Sequence, residues 1–134
     1  MKILIFTITV LASAVAAAKG NVYEVVGRLY HKDKMVSEMS VLALEGESSS
    51  IELSPYKENK KMKITVNEVS HKKIDDALEM KLDLTYNKKN FKMEGRTRLV
   101  LTNGAEVVAF SKNNKLKDDK YEFRVAVMRQ PLRY

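Results

Sequence analysis

The segment from Leu78 to Tyr86 alternates without a break. Leu78, Met80, Leu82, Leu84 and Tyr86 are apolar or aromatic, and Glu79, Lys81, Asp83 and Thr85 between them are polar. A helix would scatter those five residues round its circumference, whereas a strand places them on one face, so the pattern predicts a half-buried β-strand. Met62-Lys63-Ile64-Thr65-Val66 repeats the alternation. The stretch from Ser70 to Asp76 between the two segments is polar apart from Ile74, which predicts an antiparallel pair with a charged connection. Further out, Val22 to Tyr30 is rich in Val, Tyr and Leu, and Tyr121, Phe123, Val125 and Val127 alternate with Glu122, Arg124 and Ala126. Both predict strands. Gly27 marks a bulge or a close backbone approach in the first, and Pro131 ends any pairing after the second.

Two other segments predict hairpins. The run from Leu42 to Ser54 aligns with the run from Leu99 to Ser111, 99 − 42 = 57 positions later, matching Leu42 with Leu99, Leu44 with Leu101, Ile51 with Val108 and Leu53 with Phe110. Their turns carry Gly46 and Asn103-Gly104, residues that accept the positive φ of tight hairpin turns. The match is either a pseudo-repeat or the shared period of two hairpins. No segment sustains helical spacing. The elements add up to about seven or eight strands at near-regular spacing, which predicts an all-β fold: a single antiparallel β-sandwich or a small, partly open barrel.

Before the first strand the pattern changes. Met1-Lys2 gives a short positive start, Ile3 to Val15 is uncharged, and Ala16-Ala17-Ala18 supplies small residues for cleavage, the order of a secretory signal peptide. The apolar run is shorter than the ~20 residues that span a bilayer as a helix. Cleavage after Ala18 leaves 134 − 18 = 116 residues, and residues 19–134 are expected to form one domain with no transmembrane span. There is no Cys, and no Asn is followed two places on by Ser or Thr, so neither disulfides nor N-glycans are available to an exported chain. With the lysine-rich composition this points to a Gram-negative periplasm.

Lysine is the conspicuous excess. The chain has 24 Lys and Arg against 17 Asp and Glu, a net charge of +7 that becomes +6 when Lys2 leaves with the signal. Lys57, Lys60, Lys61 and Lys63 form one group, and Lys88, Lys89 and Lys92 another, nearly all in predicted turns. These residues are the predicted partner-binding set: a positive rim that attracts anionic lipid heads, an envelope polymer or an acidic protein. The competing reading is that they keep turns soluble and strand edges unpaired. Nucleic acid is not expected, because too few aromatics interleave with the lysines to stack on bases.

Catalytic candidates are sparse. His31 and His71 sit beside lysines at the ends of predicted strands, with no Cys, His or carboxylate at metal-ligand spacing, so both read as turn residues and no metal or cofactor is expected. Ser70 and His71 are adjacent, and neighbours on a strand point to opposite faces. Asp75-Asp76 and Asp118-Asp119 fall in polar connections, where water denies a carboxyl the raised pKa of a general acid. A non-enzymatic binding module is therefore the first expectation. A small envelope hydrolase using Ser70-His71 or Asp75-Asp76, and a small outer-membrane barrel, are the alternatives.

With the strands placed, a resemblance emerges. Arg96-Thr97-Arg98-Leu99-Val100-Leu101-Thr102-Asn103-Gly104-Ala105-Glu106-Val107-Val108 resembles the strand, turn and strand near the end of the secretin β domain. Ser40 to Leu53 is similar to that family's first hairpin, and Met62 to Val66 with Leu78 to Leu84 to its central strand pair. Where a secretin follows the Val-Val pair with glycines, this chain has Ala109-Phe110-Ser111, and it lacks room for the hairpins of a membrane pore. The resemblance implies a small soluble periplasmic protein with secretin-like strand order, an accessory of an envelope or secretion assembly.

Overall fold

The computed structural model describes residues 9–10, 21–54, 57–89, 91–113 and 120–131. The described strands are β1 (Thr9–Val10), β2 (Val22–His31), β3 (Lys34–Leu44), β4 (Ser48–Leu53), β5 (Glu58–Glu68), β6 (Ala77–Lys88), β7 (Phe91–Thr102), β8 (Glu106–Asn113) and β9 (Lys120–Gln130). They form two sheets. Sheet A has the order β1-β3-β2-β9-β8, and sheet B has the order β4-β5-β6-β7. All pairings are antiparallel except that of the two-residue β1 with β3. The fold is thus the expected all-β sandwich, and no helix among the described residues is long and apolar enough to cross a membrane.

Period-2 alternation builds the core. Leu78, Met80, Leu82, Leu84 and Tyr86 of β6 are all buried, and they meet Met62, Ile64 and Val66 of β5 and Tyr23, Val25, Leu29 and Phe123 of sheet A. Burial of such side chains is worth ~1.5–3 kcal/mol each and is the main force holding the two sheets face to face. β5 and β6 pair as expected, with Ile64 opposite Leu82. Gly27 faces the core at a close approach, not at a bulge: a Cβ there would lie 2.5 Å from Phe123 Cζ and 2.8 Å from Met62 Sδ. The bulge in the β2–β3 ladder falls at Leu29/Tyr30 instead.

The two expected hairpins are not hydrogen-bonded hairpins. β3 belongs to sheet A and β4 to sheet B, while β7 belongs to sheet B and β8 to sheet A, so both turns carry the chain from one sheet to the other. Each turn closes with one local bond, Glu47 N–H to Leu44 O at 3.1 Å and Ala105 N–H to Thr102 O at 3.0 Å. Each glycine, at φ 79° and 88°, then donates its N–H outward, Gly46 to Val66 O of β5 and Gly104 to Val127 O of β9. The two crossings therefore correspond glycine to glycine, one residue later than the sequence alignment. The β8 bulge between Val108 and Phe110 displaces the match further, leaving Ile51 buried and its aligned partner Val108 exposed.

Every strand from β2 to β9 lies beside its neighbours in the chain, and β9 returns to pair with β2 along its whole length. The eight strands form an up-and-down ring whose ladder is interrupted at the two crossings. Apolar side chains fill the interior, and the outer face of sheet B carries charges. An outer-membrane barrel shows the opposite arrangement, with an apolar band outward and a polar interior.

Candidate anion-binding site

Alternation that buries one side of sheet B commits the other side to solvent, and four strands in register turn its outward residues into rows. One row is Ser48–Thr65–Lys81–Arg98, the next Ser50–Lys63–Asp83–Arg96, and the third Glu52–Lys61–Thr85–Glu94. Between these residues lie two shallow depressions of about 500 and 460 Å³. The first is walled by Lys61, Lys63, Asp83, Glu94 and Arg96, and the second by Ser48, Lys63, Thr65, Lys81 and Arg98.

Cations on this face outnumber the carboxylates that hold them. Arg96 Nε lies 2.8 Å from Asp83, and Arg98 Nε only 3.9 Å from Glu79. Lys61, Lys63 and Lys81 have no ion pair among the described residues. Both arginine side chains are largely exposed, so each retains donors for a ligand. Ser48 Oγ and Thr65 Oγ1 stand 3.1 Å apart at the rim and add hydroxyl donors. Ammonium, guanidinium and hydroxyl groups on a rigid sheet match the needs of phosphate or carboxylate oxygens along an extended polymer.

The structure distributes the predicted lysines over three places. Lys61 and Lys63 project from this face, and Lys92 lies at its margin on β7, 3.6 Å from Glu94. Lys57, Lys88 and Lys89 lie at the end of the sandwich where the β4–β5 and β6–β7 turns fall. Up-and-down topology brings Lys32, Lys34, Lys112 and Lys120 to that same end, with Lys32 N–H donating to Lys120 O at 3.0 Å. Lys60 is buried: its side chain, 3% exposed, reaches inward to Glu58 at 3.2 Å and lies 5.6 Å from the centre of the Tyr86 ring. Lys81, Arg96 and Arg98 lie outside the set predicted from sequence. Their signal was nonetheless present, in the polar half of the β6 alternation and in the spacing of Arg96-Thr97-Arg98.

The lysine-rich end is closed by aromatics that join the sheets. His31 stacks on Tyr121 at 4.1 Å, Tyr121 on Phe91 at 4.0 Å, and Phe91 meets Tyr86 edge-on at 5.9 Å. His31 is thus a half-buried stacking residue and not the solvated turn residue expected. The hydrolase candidates lie at the opposite end, where Ser70, His71, Asp75 and Asp76 line a depression of about 360 Å³ with Arg129 and Glu68. Asp76 accepts from Arg129 at 3.0 Å, and that guanidinium holds its carboxyl below the usual carboxylate value, the reverse of what a general acid needs. His71 Nδ1 accepts from Lys73 N–H at 3.1 Å. Among the described residues no three His, Cys, Asp or Glu side chains cluster as metal ligands would. Comparison with known proteins finds no matching family model, no similar curated protein and no similar solved structure.

Proposed function

We propose that the chain is a binding module of a bacterial envelope, not an enzyme, exported by way of residues 1–18 and docking onto an anionic envelope polymer through the outer face of sheet B. The observation that carries this reading is the set of unpaired Lys61, Lys63 and Lys81 beside Arg96 and Arg98 in adjacent rows. Desolvating a lysine already held by a carboxylate forfeits that bond, whereas an unpaired one gains from an incoming anion. Nucleic acid fits less well, since no aromatic projects among these rows to stack on a base. The secretin resemblance supplies the setting, an accessory of an envelope or secretion assembly that meets polymer and protein in the periplasm.

The test is retention on immobilised lipopolysaccharide, whose phosphate and carboxylate groups supply the anion. Retention at low salt that falls steeply with ionic strength is expected. The triple change Lys63→Glu, Lys81→Glu, Arg98→Glu should abolish it, and Lys88→Glu with Lys89→Glu should leave most of it. Equal loss in both variants would assign binding to net charge and not to this face.

A further inference from the structure

The upper half of sheet A, the half next to the Gly46 and Gly104 turns, carries a largely apolar outer surface. β3 is its outermost long strand, bordered only by the two-residue β1, and the stretch Met39-Ser40-Val41-Leu42-Ala43-Leu44 contains neither charge nor proline, the devices that usually guard an edge strand. Other sheet edges carry such guards: Glu52 on β4, Glu94, Arg96 and Arg98 on β7, and Glu106 and Lys112 on β8. Beside this stretch of β3, the outward rows are Leu44–Val22–Gln130, Leu42–Glu24–Met128 and Ser40–Val26–Ala126. Apart from Glu24, Ser40 and Gln130 they form an apolar shelf, on which Val22 and Leu44 are buried and Met128 is 52% exposed. The edge already holds a strand. Thr9 pairs with Ser40 and Val10 with Val41 in parallel, and these two residues belong to the uncharged run from Ile3 to Val15.

We propose that this edge is a strand-addition site: once residues 1–18 are removed, β3 takes up an extended, uncharged apolar segment of a partner protein, parallel to it and registered on Ser40 and Val41. The proposal rests on the removal of the N-terminal run that the export reading entails. Backbone hydrogen bonds to the free edge supply affinity, and side chains continuing the shelf of Leu42, Leu44 and Val22 supply specificity. A charged segment would lose solvation against Leu42, Leu44 and Val22, with Glu24 the one charged side chain on these rows. A second copy of this chain fits less well: a two-fold axis would set β3 antiparallel to itself, opposite to the orientation the edge holds.

The experiment uses the chain beginning at Lys19 and a synthetic peptide with the sequence of residues 5–13. Saturable binding is expected, with amide exchange slowed on β3 between Met39 and Leu42. The intact 134-residue chain, in which Thr9 and Val10 already pair with Ser40 and Val41, should bind the peptide at least about tenfold more weakly. Leu42→Lys should weaken binding by roughly tenfold or more, and Val108→Lys on the far edge should leave it unchanged. No saturable binding, equal binding of a scrambled peptide, or self-association of the shortened chain through β3 would each overturn the proposal. So would unfolding of the shortened chain, because β1 would then be a permanent strand. Lys63 and Arg98 are remote from this edge, so the peptide result and the lipopolysaccharide result stand or fall separately.

Discussion

The outer faces of the two sheets are built from the same kind of strand yet carry opposite surfaces. On sheet B the rows are polar from edge to edge, with isolated ion pairs and unpaired lysines. On sheet A the lower half is a saturated ionic network in which Arg28 reaches Glu38 at 2.7 Å and Glu106 at 3.0 Å, and Arg124 reaches Glu122 at 2.8 Å. The upper half of sheet A is apolar apart from Glu24, Ser40 and Gln130. The inward halves of both sheets have one task, filling the core, and their composition converges. The outward halves are free of that task, and their divergence is where function is written.

The contrast depends on outward positions being uncoupled from the core, and the largest effect tests this on one strand. Leu82→Asp would bury an unpaired carboxylate and unfold the domain, a loss of several kcal/mol against the ~5–15 kcal/mol that holds a typical domain together. Asp83→Asn, one residue on and facing out, should change stability by less than about 0.5 kcal/mol in the same thermal melts. Comparable losses in the two variants would break the division between faces. Gly27→Ala comes next, at about 1–3 kcal/mol, because the added methyl meets Phe123 and Met62 across the core.

Smaller effects sharpen the comparison between the outer faces. Arg28→Ala removes two ion pairs from sheet A and should cost about 0.2–1 kcal/mol, discounted for its partial exposure, whereas Lys63→Ala on sheet B removes none and should be neutral in chemical denaturation. The Arg129 network predicts a pH response. Asp76 is held below its ordinary value of 3.8 by Arg129, so its stabilising contribution is complete above that pH and disappears as pH falls through the lowered pKa. Melts in acid should therefore show part of the drop below pH 3.8, and Arg129→Gln should flatten it.

Strands were legible because period 2 is written in side chains, and Leu78 to Tyr86 needs no tertiary information to be read. The sheet crossings were not legible. A three-residue turn through Gly46 or Gly104 has the same local chemistry whether the following strand folds back onto its predecessor or leaves for the other sheet. The choice is made by Val66 O and Val127 O, distant in sequence, which accept the glycine N–H groups. The lysine set was half legible for a related reason. Turn lysines attract notice as clusters, whereas Lys81, Arg96 and Arg98 are separated by core residues and become a group only when strands align. Lys60 falls in a cluster with the exposed Lys61 and Lys63, yet it is in phase with Met62, Ile64 and Val66, and the alternation of β5 turns it inward with them.

The pairing of β9 with β2 also sets an order in time. Sheet B is made of consecutive hairpins, so its ladders close short loops and can form as soon as their residues are present. Sheet A contains two hairpins of its own, β2–β3 and β8–β9, but joining them sets Val22 against Gln130 and closes a loop of roughly a hundred residues. Sheet B is then the early template on which the other half condenses, and the seam between β2 and β9 is the last to close. A chain caught before that step would display the unpaired edge of β2 and the open core together, which makes the interval before β9 docks the one in which this protein is most exposed to proteolysis and to aggregation.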